Sequence, residues 1–76
     1  MRVSTAPTTL LPAQRRAWIQ QALRRTGAVA TKDVAKHLGI TEQTARRDIN
    51  HLAVRGVGKR VYGGIVQPWR LNPDAR

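Results

Sequence analysis

Gln43, Thr44, Arg46, Arg47 and Asn50 fall within one short run of the chain, and all carry side chains with several hydrogen-bonding groups or a fixed positive charge. Arginine can engage both acceptors of guanine in a fork, asparagine or glutamine can do the same for adenine, and threonine can meet a thymine methyl or a phosphate oxygen. Solvated helix surfaces usually interleave Glu and Lys four residues apart, a pattern this run does not follow. Its composition suits the reading of base edges and the clamping of phosphates. On this stretch alone, the alternative is an amphipathic helix with an arginine-rich outer side.

Such side chains act together only if one element presents them. Thr41 is suited to cap a helix, because its hydroxyl can accept one of the backbone NH groups that a first turn leaves unpaired, and Gly56 supplies a stop. The span between them predicts a helix of about four turns. At roughly 100 degrees per residue, Ala45, Ile49, Leu52 and Ala53 share one side and Gln43, Arg47 and Asn50 the other, with Thr44 and Arg46 on the flanks. Thr41 and Glu42 begin this helix and join the candidate interface.

The preceding segments read as support. Pro12 fits a first turn, so a helix is expected from there to about Thr26, ended by Gly27, with Trp18, Ile19, Ala22 and Leu23 inward and Arg15, Arg16, Arg24 and Arg25 outside. Ala28-Val29-Ala30 is too brief for a helix and can pair as a short strand. Thr31 is expected to cap a second helix over Lys32 to Leu38, packed through Val34, Ala35 and Leu38. Gly39-Ile40-Thr41 then links it to the next helix, and so short a glycine-containing link is a helix-turn-helix arrangement. Ile40 is placed to plug the gap between the two. Thr31 and Lys32, with the NH groups at that helix start, are placed to hold a phosphate.

After Gly56 the pattern alternates. Val57 and Val61 can face one way, Gly63-Gly64 is a two-residue hairpin signal, and Ile65-Val66-Gln67 returns as the partner strand. A hairpin in this position is a wing, with Lys59, Arg60 and Tyr62 near its tip to grip phosphates or enter a minor groove. The alternative for Lys59 and Arg60 is protection of an exposed strand edge. The expected fold is therefore α+β and mainly α: a three-helix winged helix-turn-helix over residues 12–67 with a C-terminal β-hairpin wing. Residues 1–11, containing Pro7 and Arg2, read as a flexible arm, and residues 68–76 as a tail carrying Trp69 and Leu71.

Composition narrows the partner. The chain has 76 residues, with 14 Lys plus Arg against 4 Asp plus Glu and a net charge of +10. That length allows one modest core, and that charge calls for an anionic partner, either nucleic acid or an acidic membrane surface. No apolar run approaches the ~18 residues of a membrane span, and the N-terminus lacks the order of a signal peptide. Cysteine is absent, which removes disulfides and thiolate zinc sites and is permissive of an intracellular protein. Ser4 lies in the arm and His37 and His51 lie on different helices, so no nucleophile and base pair forms; no enzyme, cofactor or metal site is expected. Asp48 reads as a partner for a neighbouring Arg or backbone NH. Binding to RNA or to a protein remains the rival function, although Trp18, Trp69 and Tyr62 offer few stacking platforms and protein scaffolding needs no such charge.

In their order these features resemble the N-terminal winged helix-turn-helix of DeoR-type bacterial transcription repressors. The likeness runs from about Arg15 to Val66 and includes Ile19, Leu23, Gly27-Ala28-Val29, Val34-Ala35, Leu38, Thr44-Ala45-Arg46-Arg47-Asp48-Ile49, Leu52, Gly56, Arg60 and Gly63-Gly64. The resemblance implies that Thr44, Arg46 and Arg47 meet DNA in the major groove and that Arg60 and its neighbours reach it from the wing. Ala45 stands where the family usually has a larger branched residue, and Tyr62 where it usually has His. Those repressors continue into a large domain that binds phosphorylated sugars, so no small-molecule effector is expected for this chain. One expectation is a small repressor of phage, prophage or plasmid type, acting on double-stranded DNA as a homodimer or cooperative assembly in the cytoplasm, at the bacterial nucleoid; the alternative is a fragment of a larger regulator, and Met1 favours a complete small protein.

Overall fold

The computed structural model describes residues 10–71, so most of the expected arm and the end of the expected tail lie outside the described residues. Helix α1 spans Pro12–Thr26. Proline opens it where a missing NH is harmless, and Gln14 Oε1 accepts from the Leu11 NH at 2.9 Å. Gly27 closes it at φ 85°, its NH donating to the Leu23 carbonyl at 2.8 Å. Leu10, at the end of the expected arm, packs against the core.

Strand β1 is Ala28–Ala30 and runs directly into α2, Thr31–Leu38. The expected cap at Thr31 is not formed. Ala30, the extended end of the strand, holds the cap position, and Thr31 is the first helical residue. Its side chain is buried, and its NH donates to the Gly63 carbonyl of the wing at 2.8 Å. A tertiary partner thus takes the NH group that a cap would have served.

Gly39 ends α2 in the left-handed region, and the Ile40 NH returns to the Ala35 carbonyl at 3.0 Å. Helix α3, Glu42–Val54, follows at once. Thr41 caps it as expected, its hydroxyl accepting from the Thr44 NH at 3.0 Å. At the far end Gly56 adopts φ 84°, its NH reaching Ala53 and the Val57 NH reaching Leu52, both at 3.0 Å. This paired closure turns the chain sharply into the sheet.

Strands β2, Lys59–Val61, and β3, Gly64–Val66, form the hairpin, and β1 adds on the other side of β3. All pairs are antiparallel, with Ala30 and Val61 both opposite Gly64. The turn residues are therefore Tyr62 and Gly63, one position earlier than the Gly63-Gly64 signal suggests. Gly63 supplies the left-handed backbone at φ 86°. Gly64 serves a different need: a Cβ there would overlap the Val29 carbonyl oxygen and lie 3.1 Å from the Ala30 Cα. Pro68–Leu71 makes one further helical turn, α4.

The core joins every layer. Ile19 and Leu23 from α1, Val34 from α2, Ile49 from α3 and Ile65 from β3 are fully buried, and Ala45 lies among them. Each large apolar side chain so buried contributes about 1.5 to 3 kcal/mol, which is what holds a domain of this size together. Trp18 packs at the rim of the core, with its ring centroid 5.4 Å from that of exposed His37.

Candidate nucleic-acid interface

Because Ala45, Ile49 and Leu52 are drawn into the core, the opposite side of α3 is turned to solvent. Glu42, Gln43, Arg46, Arg47 and Asn50 are exposed, and Thr44 is half-buried on the flank. Thr44 and Thr41 are engaged locally, the Thr41 hydroxyl donating to the Thr44 hydroxyl oxygen at 3.0 Å. The long side chains stand clear of the body, and the short hydroxyls lock the helix start.

Asp48 is the exception within the polar run, since it points inward and is 3% exposed. Arg15 Nε donates to Asp48 Oδ2 at 2.6 Å and Nη2 to Oδ1 at 3.3 Å, a fork that joins α1 to α3. Arg15 Nη1 also donates to the Leu10 carbonyl at 3.2 Å, and Arg16 Nη1 lies 3.7 Å from Asp48 Oδ1. Asp48 meets its expected role as partner of an arginine. Arg15, expected outside, is instead drawn in, with its side chain 15% exposed. The hydrogen bond with Asp48, above all, raises the Arg15 guanidinium above its ordinary value; burial opposes this and the Asp48 charge adds to it.

The wing meets α3 through one specific bond. Arg60 Nη1 donates to Asn50 Oδ1 at 2.6 Å, while Lys59 and Tyr62 are exposed beside it, Tyr62 completely so. A shallow cleft lined by Lys32, Glu42, Arg46, Arg60 and Tyr62 brings together the first turns of α2 and α3 and the tip of the wing. Thr31 borders this cleft with its side chain buried and its NH already used, so of the two residues expected at the α2 start, Lys32 alone extends outward. Across α3, a second groove holds Arg16, Arg47, His51 and Arg55. The sequence reading does not place Arg16, His51 or Arg55 at the interface. For His51 and Arg55 a signal exists, because Arg47, His51 and Arg55 follow one another at intervals of four along one helical line; Arg16, on α1, has none.

Among the described residues no group of three His, Cys, Asp or Glu could hold a metal ion, and no helix is long and apolar enough to cross a membrane. What the surface offers is a cationic band. It runs from the α1 side across the outer face of α3 to the wing.

A helix-turn-helix closed by a glycine link, a third helix with a cationic outer side and a hairpin bonded to that helix define a winged helix-turn-helix domain. The family model of the DeoR-like helix-turn-helix domain matches residues 15–69, and the chain belongs to this family. It is 34% identical over 55 residues to the glycerol-3-phosphate regulon repressor of Escherichia coli (strain K12), covering 72% of this chain and 22% of that protein. It is 44% identical over 52 residues to the HTH-type transcriptional regulator UlaR of Shigella sonnei (strain Ss046), with 68% and 21% covered. Similarity extends to the HTH-type transcriptional regulator GlpR of Haloferax volcanii, at 33% over 57 residues, with 75% and 22% covered. The chain spans about a fifth of the length of these curated relatives. No solved structure matches it.

Proposed function

We propose that this chain binds double-stranded DNA sequence-specifically and represses transcription. The observation that carries the reading is continuity: exposed Gln43, Arg46 and Arg47 on α3 adjoin Lys59, Arg60 and Tyr62 of the wing through the Asn50–Arg60 bond. One duplex can be met by both at once. In this reading Gln43 and Arg47 reach base edges in a major groove, with Arg46 and Thr44 beside them. Glu42 and Thr41 set the start of that helix. Lys32 at the α2 start, Lys59 and Tyr62 on the wing, and Arg16 and Arg55 across α3 hold the phosphates on either side. Thr31 supports the α2 start from within.

The relatives named as repressors or regulators favour transcriptional control over RNA or protein binding. Action as a homodimer or by cooperative assembly, a regulator of phage, prophage or plasmid kind, and a place in the cytoplasm at the nucleoid complete the proposal. Control by a small molecule forms no part of it.

The test is a binding titration at several salt concentrations. With roughly 6 to 10 phosphate contacts, affinity for a duplex should fall by about 10³ to 10⁵ between 50 and 200 mM salt. A flat response, or equal preference for single-stranded RNA, would refute the reading. Selecting bound sites from a random duplex pool tests assembly, since a palindrome or direct repeat would report paired subunits and their spacing.

A further inference from the structure

Asn50 and Arg60 each carry groups suited to DNA, yet their side chains are hydrogen-bonded to each other, Arg60 Nη1 to Asn50 Oδ1 at 2.6 Å. Arginine has no acceptor, so the atom of Asn50 facing it must be the carbonyl oxygen, and the orientation of the amide is fixed by chemistry. That oxygen is the atom asparagine would use to accept from adenine in a paired readout. Here it is turned to the wing. Arg60 keeps four of its five N–H donors for other partners.

The position of the bond matters as much as its length. Asn50 lies on the outer face of α3, at the border of the groove that faces Arg16 and Arg47 and of the hollow that faces Lys59. Arg60 is the middle residue of β2, an edge strand whose partner is β3. Among the described residues no other side chain of this strand reaches the exposed side of α3 with a hydrogen bond. The guanidinium is thereby stood at the junction of helix and wing rather than left to wander from a short exposed strand.

We propose that Asn50 is a positioning residue that acts on DNA through Arg60, holding its guanidinium where a phosphate beside α3 is met, and does not itself read a base. The inference rests on the duplex-binding reading above. It carries a distinctive consequence: removing an uncharged side chain should change the number of counterions released on binding. An asparagine that reads a base leaves that number unchanged, since a base contact neutralises no phosphate.

The experiment compares the whole chain with its Asn50→Ala, Arg60→Ala and doubly substituted variants, on a duplex recovered from a random pool and on a duplex of unrelated sequence, from 50 to 200 mM salt. Both partners are exposed, so melting temperatures should stay close to the parent's and serve as the folding control. Asn50→Ala should lower the salt slope by about one, as Arg60→Ala does, which reduces the fall in affinity over that range by about fourfold. The double variant should bind no more weakly than Arg60→Ala alone, and both duplexes should weaken alike. An unchanged slope for Asn50→Ala, or a loss confined to the selected duplex that adds to that of Arg60→Ala, would overturn the inference while leaving duplex binding intact. Absence of salt-dependent duplex binding by the unaltered chain would instead bring down the reading on which it rests.

Discussion

Replacing Asp48 with Ala should destabilise this domain more than any exposed acid does. The carboxylate is 3% exposed and holds Arg15 by two hydrogen bonds, at 2.6 and 3.3 Å. Breaking a buried ion pair by removing one partner costs about 3 to 5 kcal/mol, because the remaining charge is stranded. Arg15 is less confined, since its side chain keeps 15% exposure and a further bond to the Leu10 carbonyl, so about 2 to 3 kcal/mol is the better expectation. A chain of this size has about 4 to 11 kcal/mol in all, and the melting temperature should drop by about 10 to 20 °C, read by circular dichroism. Asp33→Ala, which removes an exposed carboxylate from the first turn of α2, should cost under about 1 kcal/mol. In a double-mutant cycle, Asp48→Ala and Arg15→Met should together lose clearly less than the sum of their separate losses. The sign of any pH effect from Arg15 follows from its raised folded value. That contribution is fully present below the ordinary guanidinium value and fades only above it, so the coupling should be constant between about pH 6 and 9. A loss below about 0.5 kcal/mol for Asp48→Ala, or simple additivity with Arg15→Met, would refute the assignment of this pair as the tie between α1 and α3.

Two further comparisons separate roles elsewhere. Arg47→Ala should cost about 1 to 3 kcal/mol of binding and relax preference at one base pair, whereas Lys59→Ala should weaken all duplexes alike and lower the salt slope by about one; equal losses on selected and random duplexes for both would show that α3 does not read sequence. Gly64→Ala should cost about 3 kcal/mol or more, since its methyl would strike the β1 backbone, while Gly63→Ala, with open space around it, should cost only the ~1 to 2 kcal/mol of a left-handed alanine. Matching melting temperatures for those two variants would contradict the observed sheet register.

The parts legible in the sequence are those specified by neighbours along the chain. Thr41 caps α3 through a residue three positions on, and Gly27, Gly39 and Gly56 stop helices through their own backbone freedom. The inward stripes of α1 and α3 follow from helical period alone. What escaped prediction depends on partners far away. Thr31 has the side chain of a cap, but the Gly63 carbonyl claims its NH across the molecule. Gly63-Gly64 is a strong turn signal, yet Gly64 is glycine because β1 passes against it. Arg15 looks in sequence like exposed Arg24 and Arg25 of the same helix until Asp48, 33 residues on, draws it in. The Asn50–Arg60 bond spans 10 residues and a change of secondary structure, so no periodicity could reveal it.

These distant partners bear on how a short chain can aim a helix. Successive residues of α3 advance by about 100 degrees, so Arg46 and Arg47 face outward while Asp48 turns in. An apolar residue at position 48 could fill the same space, and a buried ion pair is weak support for stability in itself. Apolar side chains, however, tolerate sliding and rotation of one helix on another, whereas a carboxylate forked to a single guanidinium fixes which turn of α1 meets which turn of α3. On the other side of α3, the exposed Asn50 amide holds only the Arg60 guanidinium of the wing. The helix is thus registered on α1 by the polar tie beneath it, with the small core of Ile19, Leu23, Ile49 and Ile65 supplying the adhesion. In the proposed reading, the direction that Arg47 would need to distinguish one base pair from its neighbour comes from the Asp48–Arg15 tie; cohesion comes from the core.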